Sequence, residues 1–312
     1  MTTENHFLQS EDWERFQVAL GRRTFRGAVD GCNYLSILES TPVGKYLYVP
    51  YGPSAKNKAC FEKTISELKK LAKKNSCFFI RVEPTEGVKM TDLKELGFRK
   101  IPEINPEHTW VLDLARDEEV LLAEMKQNNR NLFRNYTGKG IEISHTSDPR
   151  KIHYLTSLLN QVARNNTISV YGEEYLKKQM EIGIATLYLA KLNGEIIAAS
   201  LVYDSPTTRY YAHAAADYEH RKLSAGTSLV AKMIFDAKES GLRTFDFYGI
   251  TTSDDPNHPW YGFSKFKKSF GGSQKTYLGT WDFPINKLRY SFFVKLRGMN
   301  RRARKFKNIL KK

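Results

Sequence analysis

Asn193-Gly194 stands between two runs rich in strand formers, 186–192 and 195–203. An Asn-Gly pair in that setting is the strongest short-range signal for a two-residue hairpin, because both residues accept positive φ. A third run, 209–214, extends the hairpin into an antiparallel meander. A loop, a helix over about 225–239 and a strand at 244–248 complete the pattern. Ahead of the meander, the second half restarts near Gly140 with the strand IEISH and helices around 148–164 and 172–182. In the first half, Ser10 precedes a helix that buries Trp13, Phe16 and Leu20 and stops at Gly21. A strand at 46–49, a helix built on Phe61, Ile65, Leu68 and Leu71, and a strand at 77–82 follow. A short helix near 91–96, a strand at 110–114 and one long helix over about 117–136 close that half. Strands alternating with helices of this length predict an α/β layer structure.

A chain of 312 residues has room for two domains. Cys32, Cys60 and Cys77 are odd in number and show no CxxC or metal-ligand spacing, which reads as reduced thiols. The seven histidines are equally scattered and no GxSxG occurs, so neither a metal centre nor a Ser-His-Asp hydrolase is expected. The sequence MTTENHFLQS lacks the pattern of a signal peptide, and no apolar run approaches the roughly 18 residues of a membrane span. A cytoplasmic protein is expected.

The formal charge is +15, yet residues 287–312 alone hold 11 basic and no acidic side chains, leaving +4 for the rest. Leu288, Phe292, Leu296, Met299, Ala303, Phe306 and Leu310 recur there at helical spacing. An amphipathic basic helix follows, with anionic lipid, tRNA phosphate or the protein's own body as its partner. A second basic cluster, Lys126, Arg130, Arg134 and Lys139, carries the same alternatives.

The order meander, loop, helix, returning strand resembles the core of GCN5-type N-acyltransferases. In that fold the loop holds a cofactor pyrophosphate through [RQ]xxGx[GA]. Here it reads Arg221-Lys222-Leu223-Ser224-Ala225-Gly226, with Ser224 at the middle glycine position. The stretch 243–284 is more specific. Phe245-Asp246-Phe247-Tyr248-Gly249-Ile250, then Phe266-Lys267 with Phe270-Gly271-Gly272, then Tyr277, Gly279, Trp281 and Asp282 resemble the Fem family of aminoacyl-tRNA-dependent peptidyl transferases. Gln9-Ser10, Pro50-Tyr51-Gly52-Pro53 and Arg81-Val82-Glu83-Pro84 fit the same family, so the resemblance spans nearly the whole chain.

The resemblance implies two tandem GCN5-type N-acyltransferase-like domains, each a mixed, mainly antiparallel sheet flanked by helices. The expected boundaries are 1–139, 140–284 with the acceptor channel, and a C-terminal helix over 285–312. No heptad run of the required length occurs in the second domain, as in a short member without the coiled-coil arm. The implied reaction moves an amino acid from charged tRNA to the stem-peptide amine of a peptidoglycan precursor. It needs no cofactor beyond aminoacyl-tRNA as co-substrate. Lys267 matches the family's functional lysine, which would stabilise an oxyanion or hold phosphates of the tRNA 3′ end. Glu83 matches an acidic position that would orient or deprotonate the incoming amine, or pair with a neighbouring base. Tyr175 and His213, with Phe266, Tyr248 and Arg15, are the implied substrate contacts. Arg221, Lys265, Lys268, Arg130 and Arg134 are the implied phosphate contacts.

Two departures bear on the acceptor. Gln17 stands where relatives that use a nucleotide-linked precursor carry a diphosphate-binding lysine. An arginine expected before Tyr175 is missing from Asn166-Thr167-Ile168-Ser169-Val170-Tyr171. Both count against a UDP-linked acceptor and leave a lipid-linked precursor or a changed substrate. The basic amphipathic tail suits the inner face of the plasma membrane and favours the lipid-linked one. An acyl-CoA-dependent N-acyltransferase and a non-enzymatic tRNA-binding protein are the alternative readings.

Overall fold

The computed structural model describes residues 6–166 and 170–309, the side chains of 165, 166 and 300–309 excepted. Residues 1–105 and 277–312 make one compact unit and residues 106–276 the other. The first unit opens with α1 (Glu11–Ala19), β1 (Thr24–Val29), β2 (Cys32–Thr41), β3 (Gly44–Val49), α2 (Lys58–Lys74), β4 (Cys77–Val82), α3 (Met90–Glu95) and β5 (Arg99–Lys100). The second runs β6 (His108–Asp113), α4 (Glu118–Glu124), α5 (Gln127–Asn135), β7 (Ile141–Thr146), α6 (Ile152–Asn166) and α7 (Glu173–Glu181). It continues with β8 (Thr186–Leu192), β9 (Glu195–Asp204), β10 (Thr208–Ala216), α8 (Ala225–Glu239), β11 (Thr244–Gly249), α9 (Tyr261–Lys268) and β12 (Ser273–Thr276). The chain then returns to the first unit as β13 (Trp281–Pro284) and α10 (Lys287–Ile309).

Each unit is built on one mixed, mainly antiparallel sheet. The orders are β1-β2-β3-β4-β13-β5 and β12-β6-β11-β10-β9-β8-β7, with β3–β4 and β10–β11 the parallel pairs. The expected fold class is therefore what the chain adopts, but the divisions fall at 105/106 and 276/277 instead of 139/140 and 284/285. Pairing decides this. β6 bonds β11 and β12, which commits 106–139 to the second unit, while β13 slots between β4 and β5 and takes α10 with it.

In the first unit the side chains that the sequence pattern singles out are structural. The Gln9 amide donates to the Leu35 and Pro50 carbonyls at 3.1 and 2.6 Å and accepts from the Leu35 N–H at 2.6 Å. Gly52 packs against that amide, where a Cβ would collide. Ser10 caps α1 by accepting from the Trp13 N–H at 3.0 Å, as expected. Arg81 donates twice to Asp282 at 2.8 Å, both buried, so the Trp-Asp pair of β13 locks the strand beside β4.

The long helix expected over 117–136 is two helices. Met125 is extended (φ −63°, ψ 145°) and buried, and α5 starts after it. The Lys126 N–H donates to the Ser269 carbonyl at 2.9 Å. Arg130 donates to the Leu122, Ala123 and Met125 carbonyls at 3.3, 2.9 and 2.7 Å, capping the end of α4. Nη1 alone makes these three bonds, which fix the guanidinium at the end of α4.

Candidate functional site

β10 and β11 pair in parallel only from Thr208↔Thr244 to Tyr210↔Asp246. Both strands run further, and each carries a register shift just past the paired stretch, at Tyr211/His213 and Asp246/Gly249. Bulges bend strands and end pairing. Here the strands border a cavity of about 630 Å³. Tyr211, Ala212 and Ala214 of β10, Tyr248 and Gly249 of β11, the first turn of α8, and Phe266 and Lys267 of α9 line it.

The strand end Asp246–Gly249 is strained. Tyr248 sits at φ +64°, a conformation that costs a non-glycine residue about 1–3 kcal/mol. Buried Asp246 offsets it: its Oδ1 accepts from the Tyr248 N–H at 2.7 Å and from Thr109 Oγ1 at 2.6 Å. Burial raises the Asp246 pKa, against the two hydrogen bonds. The Gly249 carbonyl accepts from Lys267 Nζ at 2.6 Å, and a Cβ at Gly249 would strike Pro106.

Lys267 owes its place to the residues after it. Phe270 is fully buried against Phe247 and Phe266 and anchors the end of α9. Gly271 and Gly272 then take φ +84° and +89°, and a Cβ on Gly272 would collide with the Val111 carbonyl that β12 must approach. So Phe-Lys-x-x-Phe-Gly-Gly is a lysine, an anchor and a turn. Burial drives the Lys267 pKa down to about 8, partly countered by the Asp246 charge.

Of the expected contacts, the cavity brings together Lys267, Phe266, Tyr248 and Arg221, whose guanidinium lies 4.2 Å from the Tyr218 ring centroid. Tyr175 and His213 meet in a separate aromatic group. Tyr171 stacks on Tyr175 at 4.5 Å and sets its edge to His213 at 5.3 Å, while His213 Nε2 lies 3.2 Å from the Tyr203 hydroxyl. Lys265, Lys268 and Arg134 are exposed and line no part of the cavity, and Arg15 pairs with Asp12. Of the loop before Tyr175, residues 167–169 lie outside the described ones. Gln17 is fully buried and its side-chain Oε1 accepts from Arg22 Nη1 at 2.8 Å.

Glu83 takes a different part from the expected one. Its buried carboxylate accepts from Tyr48 Oη (2.9 Å), the Tyr51 N–H (3.2 Å), the Asn105 N–H (3.1 Å), Asn105 Nδ2 (2.7 Å) and Thr280 Oγ1 (2.7 Å). Five donors leave little acceptor capacity for a substrate amine. Conversely, Asp246 was missed as a positioning residue; the signal was a lone acid between Phe245 and Phe247. The rim aromatics Trp260, Phe263 and Tyr218 carried no periodic signal at all.

The sequence model of the FemAB family matches residues 1–101 and 181–297. The chain belongs to that family. A lipid II:glycine glycyltransferase of Staphylococcus haemolyticus (strain JCSC1435) is 18% identical over 77% of this chain and 77% of its own length. Its namesake in Staphylococcus aureus (strain MRSA252) is 23% identical over 50% of this chain, a match that covers only 34% of that protein. The crystal structure of FemX superposes with a TM-score of 0.82 at 18% identity, covering 92% of this chain and 94% of that one. The structure of L-PGS from Bacillus licheniformis gives a TM-score of 0.57 at 14% identity, over 96% and 99%. At those identities the structures establish a shared fold.

His213 carries a stability prediction. Burial pushes its pKa down to about 4, whereas in the unfolded chain it titrates near the ordinary 6.5. The unfolded state then binds more protons between these values, so stability is lost as pH falls from 6.5 towards 4. Urea titrations of wild type and His213→Gln at pH 7 and pH 4.5 are expected to show the wild type losing about 2 kcal/mol more than the variant.

Proposed function

We propose that this FemAB-family chain transfers an amino acid from aminoacyl-tRNA to the stem-peptide amine of a lipid-linked peptidoglycan precursor. The observation that carries the reading is Lys267, a half-buried cation on the wall of the cavity beside the first turn of α8. In this reading the amine attacks the ester carbonyl, a C–N bond forms, and the ribose C–O bond breaks. The proton lost by the amine ends on the leaving ribose oxygen. An ester gives way to an amide, so positioning and charge stabilisation suffice. The Lys267 ammonium stabilises the developing oxyanion, and its bond to the Gly249 carbonyl holds it in place. Arg221, exposed on the cavity wall, holds phosphate of the tRNA 3′ end. The names of the staphylococcal relatives support a lipid-linked acceptor. So does Gln17, which is buried and carries no charge to meet a diphosphate.

The test supplies a pool of tRNA charged with radiolabelled amino acids, with lipid-linked and UDP-linked muropeptides as acceptors and acetyl-CoA as a rival donor. RNase-sensitive label in the lipid-linked muropeptide is expected, with at most slow transfer to the nucleotide form. Acetyl transfer to an amine with no transfer from tRNA would replace this reading by an acyl-CoA-dependent one.

A further inference from the structure

Among its described side chains, helix α10 is covered on the side away from Leu288, Phe292 and Met299, with Leu296 of the apolar stripe half-buried at the margin. Tyr290 is buried and donates its hydroxyl to Asp282 Oδ2 at 2.9 Å. Phe293 packs on Phe79 and Phe78 at 5.4 and 5.5 Å. On the opposite side lie Leu288, Phe292 and Met299, which fall within roughly 40° of one another at 100° per residue. They are 86%, 61% and 66% exposed. Single exposed apolar side chains need no explanation, but a line of three along one helix does. Exposed Arg289 and Lys295 flank the line on either side. The stripe continues in sequence through Ala303, Phe306 and Leu310, beyond the described side chains.

We propose that this face of α10 lies on an anionic lipid bilayer, with Leu288, Phe292 and Met299 in the acyl-chain boundary and the flanking cations among the headgroups. An interfacial helix has this arrangement: an apolar centre, basic shoulders and no acid. Residues 287–312 carry 11 basic and no acidic side chains, which match a negative surface. A nucleic-acid backbone would instead be met by cations at the centre of the contact. A second copy of the chain would bring like charge against like. The described helix, about 34 Å long at 1.5 Å per residue, is not apolar enough to cross a membrane, so it lies along the surface.

The test floats the full chain on sucrose gradients with vesicles of equal phosphatidylglycerol and phosphatidylcholine, and with vesicles of phosphatidylcholine alone. Wild type is expected to float with the anionic vesicles and to be released by salt. The triple variant Leu288→Gln, Phe292→Gln, Met299→Gln keeps every cation and is expected to bind about tenfold or more weakly. Its melting temperature stays at the wild-type value, because the three side chains are exposed. Arg289→Glu with Lys295→Glu is expected to weaken binding as well. No flotation of wild type, or equal flotation of the triple variant, overturns the proposal. A dimer or a tRNA complex lost in the triple variant, without vesicle binding, would assign the stripe to those partners. Vesicle binding is read without any substrate, so this result and that of the transfer assay are independent.

Discussion

Lys267→Met lowers transfer on the order of 10²–10³-fold and leaves the melting temperature at pH 7 unchanged or higher. Methionine keeps the length of the side chain and removes the charge that the cavity wall must desolvate. The Lys267 pKa stands at about 8, against 10.5 for an unburied lysine. Between these values the unfolded chain holds the proton that the folded chain has lost. This lysine thus adds stability as pH rises through that window, and the methionine variant lacks the gain. The same pKa sets the activity profile. The proposed oxyanion role requires a cation, so kcat is expected to fall as pH rises through about 8. Lys267→Arg keeps a permanent charge, retains part of the activity and loses that alkaline limb. A kcat that instead climbs to a plateau above pH 8 would make Lys267 a base and reject the oxyanion role.

Glu83→Ala has the opposite signature. It strips the acceptor from five hydrogen bonds, the donors being Tyr48, Tyr51, Asn105 (two) and Thr280. Buried donors left unpaired cost about 1–3 kcal/mol each before relaxation, so a net loss of about 3–5 kcal/mol is expected. The urea midpoint should drop accordingly, and Glu83→Gln, which retains one carbonyl acceptor, should recover much of it. A Glu83→Ala protein with wild-type stability and no transfer activity would restore the catalytic role that the sequence pattern implied.

Local signals were legible where local chemistry decides the structure. Asn193 and Gly194 take φ +49° and +92°, as the hairpin requires, and α8 spans Ala225–Glu239 as read from periodicity. Asp30-Gly31, at φ +49° and +82°, closes the β1–β2 hairpin in the same way. It was overlooked because the half-buried β1 does not alternate cleanly between apolar and polar residues. Signals failed where distant partners decide. No proline or glycine marks the break at Met125; the bonds of Lys126 to Ser269 and of Arg130 to the α4 carbonyls make it. Unit boundaries depend on β6 meeting β11, a pairing far apart in sequence. In α10 the period reveals a stripe, but not that Tyr290 and Phe293 are the residues covered. Lys267 was legible through its motif, whereas the strain at Tyr248 and its restraint by Asp246 were not.

The return of β13 to the first sheet sets the order in which the nascent chain can fold. Residues 106–276 are contiguous and can close their core as they leave the ribosome. The first sheet cannot, because β13 belongs between β4 and β5 and is made roughly 200 residues after the first and roughly 180 after the second. At about 5–20 residues per second, the wait of β4 is about 10–40 s. During it β4, Cys-Phe-Phe-Ile-Arg-Val and buried along its whole length in the finished protein, presents an open apolar edge. Arg81 in that strand keeps its charge in water until Asp282 emerges. A cation in mid-strand opposes premature edge-to-edge pairing, then becomes half of the bidentate lock that closes the sheet.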